Sequence, residues 1–261
     1  MNTRKYILFI LLLLGSTSLL SQEIDDSKTS SPFYFEFEFL SRYIWRGLNA
    51  GGNTPSMQPT IGVEFARAKH SLALEAFGVY SVGGQFIQEV DMTLSYTYND
   101  FLTLALNDYF NTTDDLSGPS WFDLRKSHTG HLLEGAVQFN GTEKIPFNAF
   151  FGMNFYGDDA LRINADGSDG KIMRTTYFEV GYTKMFTEMQ LDLFLGGSLT
   201  NPDATRGETG YYDNTSAGIT NFGLKLTREL QFKNEYTIPM HTSFIVNPKA
   251  EAVFIVFGIV L

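Results

Sequence analysis

Residues 33–46 read FYFEFEFLSRYIWR, and their alternation decides the fold. Phe33, Phe35, Phe37, Phe39, Tyr43 and Trp45 fall on one parity, and Tyr34, Glu36, Glu38, Arg42 and Arg46 on the other. Successive side chains of a strand point to opposite faces, so the stretch predicts one strand with a greasy face and a charged face. At this length it exceeds the roughly 5–6 residues usual in a soluble sheet.

The same pattern recurs to the end of the sequence. It predicts strands over 57–66, 71–80, 86–98, 101–110, 131–139, 147–156, 174–185, 189–198, 217–227, 235–246 and 251–261. With the first, these make about twelve, an even number as bacterial outer-membrane barrels require. Connections alternate in length. The set 47–56, 81–85, 111–130, 157–173, 199–216 and 247–249 holds all the long ones, whereas 67–70, 99–100, 140–146, 186–188 and 228–234 are short. Long outer loops and short periplasmic turns are the habit of a transmembrane barrel, and a soluble sandwich has no reason to sort its loops this way. The fold class expected is all-β, a transmembrane antiparallel up-and-down barrel over 33–261. Aromatics near predicted strand ends (Tyr43/Trp45, Tyr80, Tyr96/Tyr98, Tyr109/Phe110, Tyr182/Phe186, Tyr236) read as interfacial belts.

Composition agrees. The 261 residues include 24 Phe and 13 Tyr, with 43% hydrophobic residues and only 18% charged. The charge sum of 19 basic against 29 acidic gives −10, which argues against a nucleic-acid partner. The absence of cysteine excludes disulfides, a thiol nucleophile and a cysteine zinc site.

Residues 1–21, MNTRKYILFILLLLGSTSLLS, have the basic start, short apolar core and small-residue exit of a secretory signal peptide. The core is too short for the roughly 20 apolar residues of a spanning helix. Residues 22–32 read as a flexible lead-in. The last stretch, VFIVFGIVL, alternates to Leu261 like the recognition signal by which barrel-assembly machinery reads a C-terminal strand. The expected location is the outer membrane of a Gram-negative bacterium, with its lipid and lipopolysaccharide as partners and small solutes as cargo.

Ser41-Arg42-Tyr43-Ile44-Trp45-Arg46-Gly47-Leu48 resembles the opening strand of the TorF-type porins, which commonly carry a Ser-x-Tyr-x-x-Arg-Gly pattern, a polar loop and a Pro-containing second strand. Asn49–Pro55 and Gln58-Pro59 fit that layout, although Leu48-Asn49 stands where the family often has Gln. The likeness covers about the first thirty residues after the signal peptide. It implies an outer-membrane channel.

Taking the polar parity as inward collects Glu36, Glu38, Glu64, Glu75, Glu89, Asp91, Glu134, Glu179 and Asp192, against Arg42, Arg46 and Lys225. Carboxylates lining a water-filled bore raise local cation concentration and exclude anions. The expected function is passive diffusion of small solutes with cations preferred. Arg42 and Arg46, four residues apart on one strand, would stand about 13 Å apart on the same face. Inward Phe77, Phe150, Tyr156, Tyr177 and Phe194 would fill much of a bore that is narrow at this strand number, so an open channel and a packed, salt-bridged interior without a continuous bore both fit these residues.

Other sites carry weaker signals. His241 and Ser243 share a face, as a base and nucleophile of an acyl hydrolase would, but no acidic partner follows them in sequence. Asn164–Gly170 alternates oxygen donors and glycines, which Asx-turn chemistry explains without calcium. His128 and His131 are too few for a zinc site. Gly118–Phe122 places Trp121 and Phe122 in a long loop as interfacial anchors. No catalytic residue, metal or cofactor is expected. The competing readings are an outer-membrane lipid-modifying acyl hydrolase and a non-membrane β-sandwich surface binding protein.

Overall fold

A computed structural model describes residues 32–83, 88–112, 120–125, 128–142, 144–232 and 237–261. The expected signal peptide and, Pro32 aside, the lead-in lie outside the described residues, as do Phe86, Ile87, Gly118, Pro119 and Tyr236. The strands are β1 (Phe33–Leu40), β2 (Ser56–Arg67), β3 (His70–Ser81), β4 (Gln88–Tyr98), β5 (Leu102–Thr112), β6 (His131–Phe139) and β7 (Phe147–Gly157). After these come β8 (Leu161–Ile163), β9 (Asp169–Ile172), β10 (Thr176–Met185), β11 (Gln190–Ser198), β12 (Gly218–Gln231), β13 (Thr237–Asn247) and β14 (Ala252–Val260). All but β8 and β9 close into one antiparallel barrel, in which β1 pairs with both β2 and β14.

The two faces sort as their residues demand. Leu94 of β4 pairs in register with Leu106 of β5, and both are exposed on the outside along with Ile61, Leu74, Leu104, Leu195, Ile255 and Phe257. One residue along, Thr93, Asn107 and Glu134 stand side by side inside and are hydrogen-bonded in a row, each link 3.0 Å. An apolar outside around a polar inside inverts a soluble barrel. It suits hydrocarbon, where closure satisfies every strand edge.

Connections sort by end. The outer loops are L1 (41–55), L2 (82–87), L3 (113–130), L4 (158–175), L5 (199–217) and L6 (248–251), and the opposite turns are short. L4 contains the β8–β9 hairpin, so Asn164–Gly170 covers its turn (164–168) and the start of β9. The Asp166 carboxylate there accepts from the Ser168 amide and hydroxyl at 3.0 and 2.6 Å.

The first strand is shorter than its periodicity predicts. β1 ends at Leu40, because Ser41 uses its own Oγ to accept the Phe257 amide at 2.9 Å while its N–H bonds the Phe257 carbonyl at 2.8 Å. The ladder closes there and the chain turns inward. Trp45 and Leu48 exchange both backbone bonds at 2.8 Å around Arg46 (φ 49°) and Gly47 (φ 85°), the two left-handed residues of a tight hairpin turn. A Cβ at position 47 would stand 1.9 Å from the Thr220 carbonyl oxygen, so only glycine lets this turn abut β12.

Several expectations are thereby corrected. Tyr43 and Trp45 do not join the outer aromatic belt: Tyr43 is 7% exposed beside inward Phe77, and Trp45 packs on Tyr109, Tyr211 and Tyr212. Arg42 and Arg46 do not share the face of one strand, since β1 ends at Leu40 and both sit in L1. Tyr156 faces outward, because a bulge against Leu133/Glu134 shifts its parity. Tyr109, placed in the belt by its sequence position, points inward to Arg46 and Glu134.

Candidate functional site: the luminal constriction

L1 lies inside the outer half of the barrel, where a buried ion pair is its charged anchor. Arg46 donates from Nη1 to Glu134 Oε2 at 2.6 Å and from Nη2 to Oε1 at 2.9 Å. Nη1 also reaches the Tyr212 hydroxyl at 2.8 Å and Nη2 the Tyr109 hydroxyl at 3.3 Å. Glu134 accepts two further bonds at 3.0 Å, from Asn107 Nδ2 and Tyr109 Oη. The two side chains are 11% and 1% exposed. The guanidinium stands 4.5–4.9 Å from the ring centres of Trp45, Tyr177 and Phe150. Gly152 makes room: a Cβ there would meet Glu134 Oε2 at 2.5 Å.

A buried charge pair of this kind survives only when its remaining donors and acceptors find partners, and here both Nη atoms of Arg46 and the Oε1 of Glu134 have further ones. Removing one partner of such a pair costs about 3–5 kcal/mol, because it leaves the other charge stranded. The latch joins three parts of the chain, namely L1 through Arg46, the wall through Glu134 and Tyr109, and L5 through Tyr212. Burial holds the Tyr212 hydroxyl up at about 12, against the opposing pull of Arg46, so it serves as a neutral group at ordinary pH.

An apolar cluster supports L1 from beneath. Leu40, Ile245 and Val256 are buried inside the barrel with Ile44, Phe194 and Phe254 packed on them. Arg42 lies over the Phe254 ring at 5.8 Å. Asn247 donates to the Gly47 carbonyl at 3.1 Å and binds the tip of the L1 turn to β13.

L4 and L5 lock together above. Glu208 of L5 accepts from the backbone amides of Asp203 at 2.7 Å and Ile163 at 2.9 Å, and from Arg162 at 2.9 Å. These two amides first, then Arg162, pull its carboxyl down to about 2. L3 takes another course. Trp121 packs on Phe110 and His131, whose side chains are on the outer face, and its carbonyl meets His131 Nε2 at 2.7 Å. His131 Nδ1 faces both oxygens of Asp108 at 2.9 Å, a carboxylate partner that the spacing of His128 and His131 did not reveal. Phe122 beside Trp121 is 90% exposed.

The acidic residues divide by depth. Toward the inner mouth, Glu36 and Glu64 are exposed, and Glu64 accepts from Ser71. Glu75 accepts from Tyr34 at 2.8 Å, while Asp192 accepts from Thr183 at 2.7 Å and stands in register with Lys225. Glu179 accepts from Asn221 at 2.8 Å and from Tyr177. In the outer half Glu89, Asp91 and Glu134 are buried. The interior is thus most closely filled at the level of L1, and the more exposed carboxylates lie toward the inner mouth. Phe77, Phe150, Tyr177 and Phe194 belong to the filled level or its border.

His241 proves to have an acidic partner after all. Its Nε2 lies 2.6 Å from Glu38 Oε1, joining β13 to β1 across β14. Among the described residues Nδ1 of His241 has no hydrogen-bond partner, and no hydrogen bond joins it to Ser243. The contact between base and nucleophile that acyl transfer needs is not made.

Fold and site together define a twelve-stranded closed barrel, apolar outside and polar inside, with its first outer loop folded into the lumen. Among solved structures the NanC porin is similar to this chain, with a TM-score of 0.45 and 7% identity over 87% of this chain and 98% of that one. No family model matches the chain, and no curated protein does.

Proposed function

We propose that the protein is an outer-membrane channel through which small solutes diffuse passively, with cations favoured over anions. The observation that carries this reading is the lumen itself. Its inner half holds Glu36, Glu64, Glu75 and Asp192 against Lys225, and Arg46, inserted in the outer half, is neutralised by Glu134. A narrow path past that lining raises the local concentration of cations and repels anions. The resemblance of Ser41–Leu48 to the TorF-type porins supports the same reading, and in this chain those residues form the luminal insert. The location expected from it is the outer membrane, reached through barrel-assembly machinery acting on β14, with lipid and lipopolysaccharide around the apolar face.

Recording in a planar bilayer under a KCl gradient tests this. Discrete channels with a reversal potential of the sign for potassium are expected. A reversal potential of the sign for chloride would overturn the selectivity, and an electrically silent bilayer the channel.

A further inference from the structure

Between L1, L5, L6 and the strand ends beneath them lies a cavity of about 460 Å³. That is within the roughly 300–1,000 Å³ of small-molecule sites. Its walls combine two chemistries. Trp45, Tyr109 and Tyr211 supply aromatic surface, and Glu89 and Asp213 supply carboxylates. No lysine, arginine or histidine lines it among the described residues. Of the cations around it, Arg46 is turned onto Glu134, Arg42 lies over the ring of Phe254, and Lys249 is held by Ser216 at 2.6 Å.

Glu89 is only 6% exposed, yet it lines this cavity. Behind it on the same face of β4, Asp91 is 7% exposed, and its Oδ1 has no hydrogen-bond partner among the described residues. Glu89 meets the Tyr43 hydroxyl and Asp91 on its protein side, and a cation beside it would add the counter-charge that a desolvated carboxylate gains most from. Here the wall offers none, and the open side of the cavity is where one can enter. Aromatic faces around such a carboxylate attract a cation through the ring quadrupole. A neutral sugar would use the rings but gain nothing from the negative charge of Glu89 and Asp213.

We propose that this vestibule binds a small organic cation, an amine or quaternary ammonium, held by Glu89 and Asp213 among the rings of Trp45, Tyr109 and Tyr211. This names a solute class for the channel reading, and it rests on that reading for the passage of the bound cation but not for its capture.

The protein has two tryptophans, so Trp121→Phe leaves Trp45 as the single reporter in the site. The refolded barrel in detergent is titrated with choline chloride against NaCl of equal ionic strength, with heat-modifiable migration confirming the fold of each variant. A saturable change in Trp45 emission is expected. Glu89→Gln and the loop variant Asp213→Asn are each expected to weaken it about tenfold, a difference of about 1.4 kcal/mol. The neutral isostere 3,3-dimethylbutan-1-ol and glucose are expected not to saturate. Absence of a saturable response to choline, or equal saturation by the isostere or by glucose, overturns the proposal. Choline binding by a barrel that conducts nothing upholds the site and removes the channel. Conductance without choline binding does the reverse.

Discussion

Arg46 and Glu134, 88 residues apart, meet through two hydrogen bonds of 2.6 and 2.9 Å inside the barrel. That contact turns an outer loop into a luminal constriction, because Arg46 is the tip of the L1 turn and Glu134 belongs to the wall. Three aromatic rings crowd the guanidinium, and Tyr212 ties L5 to the same point. The lumen is therefore narrowed by a docked segment whose attachment is chemical and local, and single substitutions should release it.

Gly152→Ala tests the geometry of the latch from the wall side. The added methyl would collide with the Glu134 carboxylate, which must then leave Arg46 or push β7 outward. Overpacking of this kind costs about 1–3 kcal/mol. The temperature at which the folded barrel converts to the slow-migrating form on a gel should fall, and channel noise should rise. An unchanged transition would mean that Glu134 has slack the structure does not show.

Acid should unlock L4 from L5 before it unfolds the wall. The folded Glu208 carboxyl sits at about 2, below its ordinary 4.5, so its contribution is complete above 4.5 and is lost as pH falls through about 2. Pepsin cleavage within 199–217 should therefore rise between pH 4.5 and 2 in the wild type. In Glu208→Ala it should already be fast at pH 4.5. Equal cleavage of the two proteins across that window would contradict the role given to Glu208.

L3 is held to the outer wall by His131, which bridges Asp108 and the Trp121 carbonyl. His131→Leu keeps bulk but strands the Asp108 carboxylate beneath Trp121. Trypsin cleavage after Arg125, slow in the wild type, should accelerate several-fold with conductance unaltered, since the clasp faces away from the lumen. No change in cleavage would show that Trp121 packing alone suffices.

Much of this molecule can be read from alternation. The wall is the easiest part, because parity alone places Leu104 and Leu106 outside and Asn107 and Glu134 inside, and, β1 aside, strand ends fall within a few residues of their expected positions. Where parity is broken, the reading fails for a local reason. Arg42, Tyr43, Trp45 and Arg46 continue the alternation of β1 perfectly, but Ser41 caps the ladder with its side chain and sends them inside. A bulge opposite Leu133 and Glu134 moves Tyr156 outward. The Glu38–His241 and Arg46–Glu134 contacts bridge 203 and 88 residues, so only the closed barrel brings them together. The hairpin turn at Arg46-Gly47, with the glycines and Pro55 after it, was the available signal that β1 had already ended.

The most direct test is single-channel conductance of Glu134→Gln beside the wild type in the same bilayer and salt. Glutamine retains the shape of the side chain and removes the charge that holds Arg46, so L1 should leave the lumen for part of the time. Small, steady wild-type openings are predicted, and larger, fluctuating ones in the variant, with Arg46→Ala behaving alike. Identical conductance in all three proteins would contradict the claim that L1, held by this pair, sets the width of the path.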